Sequence, residues 1–220
     1  MDDTGRFRDL TVDEFVARLA SGEPVPGGGS AAAIAGSLGA ALVAMVAALS
    51  DRPRYVEHAN LHATAGDRAR ALADRFLELA DEDSQAYSGY GAAMKLPRDT
   101  DDERAARAEA VRAAALVASE VPFRTVEACR ELVELAESLA GRCNVNAASD
   151  LEVASLLAVA ATHAAAANVE VNLPSIGDET RAAELQARTD TLVDEIDALA
   201  REARRHVHGG EARAPLPGTA

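Results

Sequence analysis

Tryptophan is absent, and four Phe and three Tyr supply the only large rings, so the core cannot be a stack of aromatic side chains. Lysine occurs once, at Lys95, and acidic residues outnumber basic ones 36 to 22, giving a formal net charge of −14. That balance argues against nucleic acid as a partner, because phosphate binding relies on clustered Lys and Arg and this field repels a polyanion. An acidic small molecule would need a local basic patch, and Lys95 with Arg98 is the place to look. The two cysteines, Cys129 and Cys143, show neither CxxC spacing nor a nearby His, which reads as two reduced thiols. The opening MDDTGRFRDL has no signal-peptide pattern, so a cytoplasmic protein is expected. No run alternates apolar and polar with period two, which leaves nothing from which to build a sheet.

What is abundant is alanine, which dominates an apolar fraction of 48%. Alanine is the best helix former, and its small side chain lets helices approach closely. A chain of 220 residues can bury one sizeable core. The expectation is therefore an all-α domain over residues 1–208, an up-and-down bundle of long antiparallel helices, followed by a flexible tail over 209–220.

Thr11-Val-Asp-Glu14 reads as a capping box that starts a helix reaching about Ala20. The Pro/Gly loop from Gly22 to Gly29 follows, with Ser30 as the expected cap of the next helix. Residues 31–49 are nineteen uncharged positions, nine of them Ala, long enough to span a membrane yet only weakly hydrophobic. They are expected to form a buried central helix, with Ala32, Gly36 and Ala40 offering a small-residue face to another helix, in this chain or a symmetry mate. A long helix over 55–94 carries an apolar stripe, Leu72, Phe76, Leu79, Tyr87, Tyr90 and Met94, interrupted by Asp83. A carboxylate on such a stripe is paired, protonated or functional. Thr100 to Glu103 repeats the capping box, Pro122 is expected to kink or split the following helix, and residues 150–171 and 178–207 form the last two.

Four places could hold chemistry. Pro26-Gly-Gly-Gly-Ser30 precedes a helix N-terminus, where free amides favour an anion or carbonyl oxygen, although a tight turn would use the same residues. It lacks the spacing of a nucleotide motif. His58 and His62 stand four apart, as metal ligands do, but with no third ligand at matching spacing they read as a solvated pair, and no metal is expected. His163 reads as a satisfied core residue. Asn144, Asn146, Ser149 and Asp150, with Asn168 and Asn172 at the other end of their helix, form the densest polar group in apolar surroundings. They read as ligand contacts or as helix caps. Asp150 and Asn168 lie five turns apart, about 27 Å along one helix, so a single chain cannot bring both to one reacting carbon.

The string FVARLASGEPVPGGGSAAAIAGSLGAALVAMVAALS, residues 15–50, closely resembles the opening of the formiminotransferase-cyclodeaminase C-terminal domain family. Further matches follow in order at Asp83 to Tyr87, Lys95 to Arg98, Val121-Pro122, Asn144 with Ser149-Asp150, and Asn168 to Asn172. Together they span about residues 10–180. The resemblance implies an all-helical homodimer acting on a tetrahydrofolate derivative, as a methenyltetrahydrofolate cyclohydrolase or a formiminotetrahydrofolate cyclodeaminase, with no cofactor beyond the folate. It further implies Asp150, then Asp83, as the acid/base carboxylate. Gly27, Gly28, Gly29, Ser30, Asn144, Ser149, Asn168 and Asn172 become substrate contacts, and Lys95 and Arg98 a hold on the glutamate tail. The alternatives are a helical dimer or folate-binding module of the same fold without catalysis, and a membrane-associated helical protein.

Overall fold

The computed structural model describes residues 5–217; the first four residues and the last three, the end of the expected tail among them, lie outside the described residues. Among the described residues the six α-helices are α1 (Val12–Leu19), α2 (Gly28–Ser50), α3 (Ala59–Met94), α4 (Asp101–Leu139), α5 (Ala148–Asn172) and α6 (Glu179–Gly209), with short 3-10 turns before α1 and between α2 and α3, α4 and α5, and α5 and α6. There is no strand among the described residues, in line with the all-α reading. Helices α2 to α5 alternate in direction around one core, each packed on the next, with α2 closing against α5 and α6 lying on α4 and α5. Both capping boxes form: the Thr11 and Thr100 side chains accept the amides of Glu14 and Glu103, whose carboxylates reach back.

Small residues set how α2 meets α3. A Cβ on Gly36 would stand 2.5 Å from the Phe76 ring, and one on Gly29 would stand 2.1 Å from Asp83 Oδ1, so only glycine allows these approaches. Gly66 meets Ala47 farther along, and the Ser37 hydroxyl donates to the Ala73 carbonyl. In each antiparallel pair the two residue numbers sum to about 112. The steps of seven from Gly29 to Gly36 to Val43, and from Asp83 to Phe76 to Ala69, keep one face of each helix on the other. The Ala32, Gly36 and Ala40 face is thus used inside the chain and is buried there, leaving none of it for a symmetry mate.

Several expectations are corrected. Ser30 caps nothing: the N-cap of α2 is Gly27, and Ser30 sits buried in the first turn. The long helix begins at Ala59, after a 3-10 turn over Pro53–His58. Pro122 does not split its helix, and α4 runs unbroken for 39 residues. His58 and His62 are both 3% exposed rather than solvated; the His62 Nε2–H donates to the Arg142 carbonyl, 2.8 Å away. His163, expected in the core, is exposed beside Asp197. Helices α2 and α5 are not wrapped on all sides: α2 exposes an uncharged face with Leu38, Met45 and Leu49, and α5 exposes a mixed one, Val153, Leu156 and Val171 together with His163 and Glu170. By length and composition α2 and the stretch Val145–Ser175 could each cross a membrane. The chain beyond Gly210 is held: the Arg213 amide donates to the Gly141 carbonyl, Arg142 Nε donates to the Ala214 carbonyl, and Leu216 packs on the core. Burial pushes the thiols of Cys129 and Cys143 up to about 12 and about 11, so both stay protonated at neutral pH.

The Gly36–Phe76 contact gives a direct test. Gly36→Ala overpacks it and lowers stability by about 1–3 kcal/mol, read as a lower urea midpoint at unchanged slope. Combining it with Phe76→Leu costs less than the sum of the single changes, because the smaller side chain makes room for the new methyl.

Candidate functional site

The glycine approach at Gly29 sets the site. It lets α3 bring Asp83 against the first turn of α2, where the amides have no intrahelical partner and the helix dipole is positive. The Ser30 hydroxyl donates to Asp83 Oδ2 at 2.9 Å and also lies 3.2 Å from the Ala80 carbonyl. Burial raises the Asp83 pKa above the ordinary aspartate value, and the Ser30 hydroxyl and amide only partly oppose it. Such a carboxyl takes up and releases a proton nearer neutrality than a surface aspartate does.

Asp83 opens into a cleft of about 370 Å³ whose other walls include Gly27 to Gly29, Tyr87 and Tyr90 of α3, Ala118 of α4, and Asn168 and Asn172 of α5. The Asn168 side-chain amide donates to the Ala164 carbonyl. Asn172 donates one amide hydrogen to the Asn168 carbonyl at 2.8 Å and the other to the Ala118 carbonyl at 3.0 Å. That second acceptor is free because Pro122, four residues on, has no N–H to offer it. Pro122 thus frees the carbonyl that fixes the Asn172 amide, and its carbonyl oxygen remains as an acceptor. No Lys, Arg or His is among the lining residues. The cleft therefore combines a carboxylate, amide acceptors and two phenol rings, a setting that favours a cationic or hydrogen-bond-donating ligand.

Of the residues singled out in the sequence, this cleft gathers Asp83, Gly27, Gly28, Gly29, Asn168 and Asn172, with Ser30 behind Asp83. It does not gather Asp150, Ser149 or Asn144. They sit at the other pole, where the Asn144 amide donates to Ser50 Oγ and its side chain donates to the Leu49 carbonyl. Gly28 and Ser50 are the two ends of α2, about 33 Å apart. Asn144 also caps the 3-10 turn before α5, whereas Ser149 and Asp150 lie inside the first turn of α5 and cap nothing. Lys95 and Arg98 follow the end of α3, with Lys95 about 18 Å along the axis from Asp83 and outside the cleft walls. Tyr87 and Tyr90 went unrecognised as wall residues because they continue the Leu72–Phe76–Leu79 stripe. The sign of their role was the polar break at Asp83, where the stripe leaves the core.

The formiminotransferase-cyclodeaminase family profile matches residues 11–191. A methenyltetrahydrofolate cyclohydrolase of Methylorubrum extorquens is 39% identical over 191 residues, 86% of this chain and 91% of that protein. The formimidoyltransferase-cyclodeaminase of Gallus gallus is 35% identical over 182 residues, which are 82% of this chain but 34% of that longer protein. In fold, the chain is similar to formiminotetrahydrofolate cyclodeaminase of Thermotoga maritima, with a TM-score of 0.83 at 24% identity over 92% of this chain and 98% of that one. With the cleft built from the residues its motifs supply, the chain belongs to the formiminotransferase-cyclodeaminase family.

Proposed function

We propose that this chain is an enzyme of folate one-carbon metabolism that acts where a single carbon bridges N5 and N10, and that its main activity is that of a methenyltetrahydrofolate cyclohydrolase. The observation that carries this is Asp83: a carboxyl with raised pKa, held on a glycine-opened helix N-terminus, in a cleft with no basic side chain. The methenyl bridge is a delocalised cation, and a fixed carboxylate beside it stabilises the charge and can take a proton from attacking water. Water adds to the bridging carbon and gives one proton to Asp83; that proton passes to N5 as the bond from N5 to the carbon breaks, the proton left on the carbinol oxygen goes to solvent as the carbonyl forms, and 10-formyltetrahydrofolate leaves. The same carboxylate suits the deaminase, in which N10 attacks the formimino carbon on N5 and ammonia departs. The near end-to-end match with a cyclohydrolase favours the first reaction.

We further propose a homodimer across the outer face of α2 and α5. Leu38, Met45 and Leu49 beside Val153, Leu156 and Val171 form an apolar, exposed surface on two helices that pack together, with His163 and Glu170 as the polar residues on its α5 side. A two-fold axis near the middle of α5 that sets this helix antiparallel to its mate would bring Asp150 of the partner subunit toward Asn168. That would resolve the separation of about 27 Å within one chain. In this arrangement Asp83 and Asp150 serve one site from two subunits.

Mixing purified protein with methenyltetrahydrofolate, or with formiminotetrahydrofolate, and following the absorbance of the bridge tests the activity. Acceleration of the first reaction is expected; acceleration of the second alone makes the chain a cyclodeaminase, and silence in both from folded protein removes the enzymatic reading. Asp83→Asn lowers turnover about 10²–10⁴-fold. Gly29→Ala, which expels the carboxylate, lowers it at least as far. As pH falls through the raised Asp83 pKa, the wild type loses kcat/KM and the Asn variant shows no such limb. The linkage has the opposite sign for stability. Ionising a buried carboxyl opposes folding above its pKa, so Asp83→Asn gains thermal stability relative to wild type at neutral pH, and the gain disappears below the unfolded aspartate pKa.

The dimer has its own test. Wild type should sediment as a dimer, and Met45→Glu with Leu156→Glu as a monomer. Mixing inactive Asp83→Asn and Asp150→Asn proteins should restore activity toward about a quarter of wild type, since half the dimers are then mixed and each has one intact site. Restoration at or near zero would overturn the site shared between subunits.

A further inference from the structure

Asn172 and Pro122 stand on different helices and far apart in sequence, yet one carbonyl connects them. In an unbroken helix the Ala118 carbonyl would accept the amide of residue 122, and proline there provides none. The freed oxygen accepts from the Asn172 side chain at 3.0 Å, and the other hydrogen of that side chain goes to the Asn168 carbonyl. Both hydrogens of the Asn172 amide are committed, so the group cannot flip to present a donor without losing two bonds. At its neighbour one turn earlier, the Asn168 side chain donates to the Ala164 carbonyl. Beside Asp83, this wall of the cleft offers the lone pairs of the Asn172 oxygen, whereas Asn168, with one bond to the Ala164 carbonyl, keeps its Nδ2 beside Gly28.

We propose that Pro122 is a positioning residue: by withholding its amide it locks Asn172 as a hydrogen-bond acceptor, and the cleft thereby selects a ligand whose edge carries N–H donors. Resting on the folate reading above, this assigns Asn172 to the N–H-bearing edge of the pterin ring, which presents a ring N–H and an exocyclic amino group. A ligand lacking those hydrogens leaves the Asn172 oxygen desolvated and unpaired, which is how a polar site rejects a near-isostere. The same logic explains a proline inside a 39-residue helix that continues through it. The carbonyl left open by the missing hydrogen bond is taken up by the neighbouring helix.

The test is a cycle between protein and ligand, read as equilibrium affinity so that it does not depend on turnover. Binding of tetrahydrofolate and of its 2-desamino-2-methyl analogue is measured by calorimetry for wild type and for Pro122→Ala. Wild type is expected to prefer the amino compound by roughly tenfold or more. In Pro122→Ala the new amide reclaims the Ala118 carbonyl, the Asn172 group is released, and the preference falls below about threefold. Circular dichroism should show a helix content and a melting temperature no lower than wild type, since alanine suits a helix interior better than proline. A preference that survives unchanged in folded Pro122→Ala overturns the positioning role. Wild type that binds folate without any preference overturns the acceptor assignment, whereas wild type that binds neither compound overturns the folate reading beneath it.

Discussion

The close approach of α2 to α3 is the constraint on which the rest of the molecule depends. Two glycines remove the side chains that would hold the helices apart, and Phe76 and Asp83 occupy the space. The two contacts use the same geometry for different ends. At Gly36 the partner is a ring, and the result is a packed core. At Gly29 the partner is a carboxylate, and the result is a charge at a helix N-terminus, where free amides and the dipole support it. Because one register fixes both, the packing that stabilises the bundle also positions the group proposed to do chemistry. A slip by one turn would move Asp83 about 5.4 Å and part it from Ser30.

Charge is distributed to match. The chain carries fourteen negative charges in excess, and most of its arginines are spent on exposed ion pairs such as those of Arg68 with Glu131 and Arg130 with Glu195. Exposed pairs of this kind add little stability. The cleft, by contrast, contains one carboxylate and no counter-charge from the chain. Its fixed groups suit a positive or hydrogen-donating ligand.

Much of this was legible in the sequence because it depends on short-range chemistry. The two capping boxes, the alanine-rich helices and the polar break at Asp83 each follow from residue type and spacing. What was not legible depends on which helix lies opposite which. Ser30 has the chemistry of a cap, yet the chain turns at Gly27 and carries Ser30 into the core to meet Asp83. His58 and His62 have the spacing of metal ligands and were read as a solvated pair for want of a third, and only the fold shows that both are buried. Pro122 reads as a helix breaker because local rules count the lost bond, while Asn172, fifty residues later, satisfies the freed carbonyl. The separation of Asp150 from Asn168 was legible from the helix rise alone, but which end of α5 meets Asp83 was not.

That opposite pole ends in a chain of bonds that runs to the last described residues. The Ala214 carbonyl accepts from Arg142, whose own carbonyl accepts from buried His62, while Arg213 donates to the carbonyls of Glu137 and Ala140 at the end of α4. The residues that fasten this pole follow α2 to α6 in the chain. During translation α2, α3, α4 and α5 leave the ribosome well before Arg213 does, and domains assemble as their elements become available. The cleft end can therefore form while the far end is still open, and that pole is fastened only once the segment beyond α6 has been made.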